Sequence, residues 1–238
     1  MTVEIRTADS RPVTRAEGRT TWHSFSFGAH YDPRNVGLGR LVAHNDELLP
    51  PGTGYAEHPH ADLEIVTWVL SGALRHASTV GTGTVTPGRV QHLSAGSGVR
   101  HSEVSDAPGP TRFLQAWVRP DEPGTPPRHV VRDVERGPGW TCLAADAHAG
   151  APEGAVTIGA RGTSLHVADL AAGGELALPE AALLHVFVAT GQLTLGERRL
   201  AGGDAARLLE EGGRAVRAEA DAHVVVWAQS SPHLDTQP

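Results

Sequence analysis

Two short runs, VLSGAL ending at Leu74 and VATGQL ending at Leu193, set Gly72 and Gly191 119 residues apart in a chain of 238. A repeat at half the chain length calls for a fold in which one structural unit occurs twice. The flanking segments say which kind of unit. EIVTWVL, LLHVFVAT and AHVVVWAQ are rich in β-branched and aromatic residues, as strands are. The 28 Gly and 17 Pro supply turn signals at roughly ten-residue intervals, with few long helical periods, so the chain is expected to be all-β. Domains of about 100–150 residues then divide it into an N-terminal unit over 1–130 and a C-terminal one over 131–238. The proline-rich stretch 120–140, beginning PDEPGTPPRH, reads as the linker.

In chain order, WHSFSF alternates Trp22, Ser24 and Ser26 with His23, Phe25 and Phe27, a period of two that suits a half-buried strand. DPRN follows as a turn. The segment GTGYAEHPHADLEIVTWVLSG reads as one strand-like run into the turn at Ser71-Gly72. Pro59 removes a ladder donor, which places that part of the strand at an edge or bulge. ALRHAST is the return strand and TVGTGT another turn. In TPGRVQHLSAGSGVRHSEV, Gly88, Gly96 and Gly98 permit sharp reversals just before His101, and TRFLQAWVR is a further strand. The tail after Ser231, PHLDTQP, is expected to be poorly ordered.

Chemistry concentrates between Gly52 and Glu103. On an extended chain residues i and i+2 share a face, so His58 and His60 present their imidazoles side by side, and His101 with Glu103 repeats the arrangement. Two such pairs facing each other make a metal cage. With 14 histidines in the chain, about one HxH would arise by chance, so the context has to carry the assignment. By the same parity His60, Asp62 and Glu64 share a strand face, and whether Glu64 joins the ligands stays open. His23 and His30 read as polar positions on a strand or loop. His76 and His92 read as surface or barrel-lining residues, and Trp68, Trp117 and Trp227 as core. Overlaying the halves on their glycines puts Ala177 and Pro179 at the places of His58 and His60. Val216 and Ala218 take those of His101 and Glu103, so the second copy keeps the strand rhythm without the metal chemistry.

The remaining composition excludes classes of function. The formal charge is −7 and all 20 basic residues are arginine without a basic run, which disfavours direct nucleic-acid binding. MTVEIRTADSR lacks the apolar core of a signal peptide, and no run approaches a membrane span of about 18 apolar residues. A cytoplasmic protein is expected. Cys142, the single cysteine, has no internal disulfide partner.

Gly52, five residues, His58, one residue, His60, three residues and Glu64, with Gly72 beyond, resemble the first motif of the cupin family. SAGSGVRHSE is more particular, and with it the chain resembles the pirin branch of the bicupins from WHSFSF through to the degenerate second half. The resemblance implies an all-β bicupin, two antiparallel jelly-roll β-barrels packed together, with one metal in the N-terminal barrel and none in the C-terminal one. It implies His58, His60, His101 and Glu103 as ligands of a divalent transition metal, Fe(II) first among them, with open positions for substrate and dioxygen. Other cupins use the glutamate of the first motif as a ligand, which is Glu64 here. The activity implied is that of a quercetin 2,3-dioxygenase, in which dioxygen opens a flavonol-like small molecule with release of carbon monoxide and Glu103 accepts the substrate's proton. The alternative implied is a metal- and redox-dependent regulatory protein acting through a protein partner.

Overall fold

The computed structural model describes residues 2–148 and 150–231, and among these are twenty β-strands and one 3-10 turn, Ala8–Ser10. The tail expected to be poorly ordered, 232–238, lies outside the described residues. No helix among them is long and apolar enough to cross a membrane. The fold is the expected all-β bicupin of two antiparallel jelly-roll barrels. The described parts of Arg11–Arg136 and Leu143–Arg161 form one compact unit, here the first barrel. Those of Met1–Ser10, Gly137–Cys142 and Gly162–Pro238 form the second, so the first strand, β1 (Thr2–Arg6), belongs with the second half of the chain.

The first barrel is built from two sheets. One holds β2 (Val13–Ala16), β3 (Arg19–His23), β4 (Leu41–Leu49), β6 (Glu64–Ser71), β9 (Arg89–Ser94), β11 (Thr111–Val118) and β12 (Arg128–Asp133), in the order β12-β9-β6-β11-β4-β3-β2. The other holds β5 (Gly54–His60), β7 (Leu74–Ser78), β8 (Gly81–Val85) and β10 (Val99–Ser105), in the order β5-β10-β7-β8. β13 (Thr141–Asp146) and β14 (Val156–Ile158) add a parallel pair. Leu49, Val69, Leu74, Val85 and Phe113 form one apolar cluster, and Ile65, Leu93, Ala95 and Val99 another. Each of the Val, Leu, Ile and Phe side chains among them contributes about 1.5–3 kcal/mol on burial.

Several sequence expectations change. HPHADLEIVTWVL is two strands in two sheets, broken at Asp62, whose φ of 53° turns the chain through the left-handed region. The parity that put Glu64 on the face of His60 therefore does not carry across. TVGTGT is mostly strand β8, the turn being confined to Thr79 and Val80. The segment read as a linker contains β12, which pairs with β9 from Arg128↔Ser94 to Asp133↔Arg89. The WHSFSF strand ends at His23.

The second barrel contains β15 (Thr163–Leu170), β16 (Glu175–Ala177), β17 (Leu183–Leu195), β18 (Arg198–Ala201), β19 (Ala205–Leu209) and β20 (Ala215–Gln229). Its strands run β1-β19-β17-β20-β15, with β16 on β20 and β18 on β17. β17 is continuous where the first barrel has β6 and β7, and β20 is continuous where it has β10 and β11. Gly72 and Gly191 occupy the same bend, with φ of 81° and 86°. A Cβ at Gly72 would meet the Thr111 Cα at 2.8 Å, and one at Gly191 the Asp221 carbonyl oxygen at 2.2 Å. In both halves only glycine fits the bend.

Register fixes the correspondence between the barrels. His58 pairs with His101 in the first, and Leu176 with Val216 in the second. His60 pairs with Val99, and the Leu178 N–H donates to the Arg214 carbonyl. Leu176 and Leu178 therefore stand at the positions of His58 and His60, one residue before the Ala177 and Pro179 of the sequence overlay. Val216 and Ala218 stand where that overlay put them.

Candidate metal centre

β10 builds half of the site. Its burial alternates, so His101 and Glu103 face inward, each 1% exposed, while Arg100 between Val99 and His101 faces out. β5 is an edge strand paired to β10, and the register slips between His101↔His58 and Glu103↔Tyr55. The edge position and irregularity expected from Pro59 are both present, and they leave His58 and His60 half-buried at the rim. One ring nitrogen from each of His58, His60 and His101 lies within 4.8 Å of the others, with ring centroids 4.4 to 5.0 Å apart. His76, His101 and Glu103 form a second, fully buried group by the same measure, so His101 belongs to both.

Hydrogen bonding determines which nitrogens are available. A carbonyl oxygen only accepts, so the 2.8 Å contact from His58 Nδ1 to the Ala56 oxygen puts the proton on Nδ1 and leaves the Nε2 lone pair free. His60 Nε2 and His101 Nε2 are buried without a hydrogen-bond partner. A buried polar atom left unpaired costs about 1–3 kcal/mol. Two such atoms beside a third free lone pair are the donor set that a transition metal takes. Burial first, and then the neighbouring imidazole of His58, lower His60 to about 4. Burial likewise lowers His101 to about 4, against the opposing pull of Glu103. Both rings are therefore neutral at neutral pH, as ligation requires.

Glu103 is held from several sides. Gln115 Nε2 donates to its two oxygens at 3.1 and 2.9 Å, Gln91 Nε2 to Oε1 at 3.5 Å, and His76 Nδ1 lies 3.9 Å from Oε1. Burial alone would raise this carboxyl, but His76, His101 and the Gln115 amide outweigh it and hold it at about 2. Glu103 is thus an anion across the neutral range. Glu47, also buried, is different: burial dominates and raises it to about 7, despite bonds from the Thr21 hydroxyl at 2.6 Å and the Tyr55 hydroxyl at 2.7 Å.

Glu64 lies away from this cluster. Its carboxylate is engaged by His92 Nε2 and by Ser94 Oγ at 2.8 Å, and it belongs to neither group of candidate ligands. His92 and His76 are both buried, which corrects the surface alternative for them. His23 is buried too, bonded to Asn45 and Thr14. Sequence reading missed Gln91, Gln115, His129 and the role of Trp117, whose indole stands edge-on to His60 at 4.8 Å. A signal existed for Gln115, which interrupts the apolar run of β11 with the parity of buried Phe113. The burial of His76 had one as well, in its parity with buried Leu74.

A cavity of about 530 Å³ opens beside His60, lined by Pro59, Ala61, Thr79, Val99 and Arg100 among others. That volume is in the range of small-molecule sites, about 300–1,000 Å³.

Comparison with known proteins agrees with the fold. The Pirin family profile matches residues 5–118. A Mycobacterium tuberculosis protein named "Putative quercetin 2,3-dioxygenase" is 43% identical over 234 residues, covering 95% of this chain and 94% of its own. An Escherichia coli quercetin 2,3-dioxygenase is 38% identical over 134 residues, 55% of this chain and 57% of its own. Among solved structures, the bacterial pirin YhhW of Escherichia coli in complex with nickel(II) superposes with a TM-score of 0.89 at 26% identity, covering 96% of this chain and 99% of that one. Likeness over almost the full length of both partners, with the match to the Pirin profile, makes this chain a member of the pirin family.

Proposed function

We propose that the first barrel holds one divalent transition metal, Fe(II) in our assignment, through His58, His60, His101 and Glu103. We further propose that it opens a flavonol-like ring with dioxygen, as a quercetin 2,3-dioxygenase. The observation that carries this reading is the pair of buried, unpartnered Nε2 atoms on His60 and His101, next to the free Nε2 of His58. His101 links this trio to Glu103 through the group it forms with His76. The names of the pirin relatives and the nickel complex of the YhhW protein support the same reading. When bound, such a metal supplies Lewis acidity toward an acidic hydroxyl and one-electron chemistry toward dioxygen.

The chain's own residues supply the rest. The cavity beside His60 offers apolar walls at Pro59, Ala61 and Val99 for a flat ring system, with the Arg100 and Thr79 side chains as polar contacts. Glu103 receives the substrate proton. It is ionised at neutral pH but weakly basic, so the transfer needs a hydroxyl that has already been made acidic. Oxygen uptake with quercetin, measured on metal-stripped protein and again after Fe(II) is restored, tests the assignment. Uptake and carbon monoxide release should depend on Fe(II) and disappear in Glu103→Ala. Full-rate consumption by the stripped protein would refute it.

A further inference from the structure

The indole of Trp117 is oriented toward the candidate centre in two ways. Its ring stands edge-on to His60 with centroids 4.8 Å apart, and its Nε1–H donates to Gln115 Oε1 at 3.2 Å. An indole N–H can only donate, so the atom of Gln115 facing it must be the carbonyl oxygen. That settles the orientation of the amide. Its NH2 group then points the other way, to Glu103 Oε1 and Oε2 at 3.1 and 2.9 Å and to Thr67 Oγ1 at 3.3 Å. Gln115 is 7% exposed and Glu103 1%, so water does not substitute readily in the bonds between these two.

A second amide is fixed by the same logic on the other side. Gln91 donates through Nε2 to Glu103 Oε1 at 3.5 Å, so its oxygen faces His129 Nε2 at 3.1 Å, and that nitrogen must carry the proton. His129 in turn stacks on His76 with centroids 4.3 Å apart and an interplanar angle of 15°. Each amide is thus held at its oxygen by a ring N–H, and each presents its NH2 to the same carboxylate.

We infer that Trp117 is a positioning residue for Glu103, acting through Gln115: its N–H fixes the amide so that two donors hold the carboxylate in the orientation in which it serves the metal centre. Without the N–H, the Gln115 oxygen is left buried without its donor, and the amide is held only through its NH2 contacts to Glu103 and Thr67, so its tilt against the carboxylate is no longer fixed. A residue that only packed against His60 would have no such effect, because phenylalanine keeps the ring face and edge. This inference rests on the proposed metal centre, and its test separates the two.

The probe is Ni(II) alone, with dissociation constants measured by chelator competition on the full chain. Trp117→Phe and Gln115→Leu should each weaken Ni(II) binding roughly tenfold, the lower end of what the loss of an outer hydrogen-bond partner costs a metal site. The double variant should be no weaker than Gln115→Leu alone, since both changes remove one relay. In apo protein the Trp117 indole N–H should exchange slowly with solvent and should exchange faster in Gln115→Leu, a readout that needs no metal. Thermal melts of the variants check that they fold. Unaltered protein that takes up no Ni(II) overturns the metal reading itself. Unaltered protein that binds Ni(II), with Trp117→Phe binding it equally tightly or with additive losses in the double variant, overturns the positioning role alone.

Discussion

The two barrels have the same strand plan and opposite interiors. Where the first has His58, His60, His76, His101 and Glu103, register places Leu176, Leu178, Leu193, Val216 and Ala218 in the second. The correspondence extends outward, with Thr67, Gln91 and Gln115 matched by Val186, Ala206 and Val226. In the second barrel all of these except Leu176 belong to one apolar cluster, and Leu176 packs against it. The fold therefore does not require the polar interior. A barrel of this topology closes well on leucine and valine, so the imidazoles and the carboxylate of the first are retained at a cost in stability, which is what a functional site looks like against its own copy.

The largest test of that contrast exchanges the interiors one residue at a time. His101→Val installs the residue of the second barrel, and it should weaken metal binding by more than the roughly 100-fold that losing an outer partner can cost, while the apo protein stays folded. Metal competition and a thermal melt read both halves of that statement.

Acid should separate the barrels next. His44 is lowered to about 3 and His60, His101 and His129 to about 4, in each case chiefly by burial, and all four lie in the first barrel. Their folded values lie below the unfolded one of about 6.5, so the unfolded chain takes up protons first. Stability from these groups is full above that pH and is lost as pH falls toward 4. Glu103, at about 2, adds a loss below the unfolded carboxylate value. Glu47, raised to about 7, has the opposite sign: its contribution is present at low pH and is lost as pH rises through 7. In apo protein taken from pH 7 to 4, the environment of Trp68 should change before that of Trp227, followed by single-tryptophan fluorescence, and loading with metal should delay the first change. Simultaneous loss of both would remove the contrast.

The reverse exchange should cost about 3 kcal/mol: Val216→His puts an unpartnered imidazole among leucines, combining overpacking with burial of a polar ring. Denaturant melts measure it. A neutral result would mean that the second interior tolerates polarity. Smaller still, about 2 kcal/mol each, are Gly72→Ala and Gly191→Ala, which force a left-handed residue against neighbouring backbone. Similar losses in both would confirm that the bend is one shared element, and a loss in only one would break the equivalence.

Much of this was legible in the sequence because the informative signals were local. Period-two burial placed His101 and Glu103 on one face of β10, and the spacing of Gly72 and Gly191 disclosed the duplication. What failed was parity carried across a break. Asp62 adopts a left-handed φ that no local pattern announces, so Glu64 went to a different sheet from His60. The overlay of the second copy slipped by one residue for a related reason, because loop lengths differ between the halves and only pairing fixes register. Gln91, Gln115 and His129 escaped because their importance lies in partners 12 to 38 residues away along the chain.

The most direct test of one metal-binding barrel and one apolar barrel in the same chain is the metal-to-chain ratio by elemental analysis, on unaltered protein and on His101→Val, after loading with Fe(II) under anaerobic conditions. A ratio near one in the first and near zero in the second is expected. A ratio near two, or a ratio near one that survives His101→Val, would contradict it.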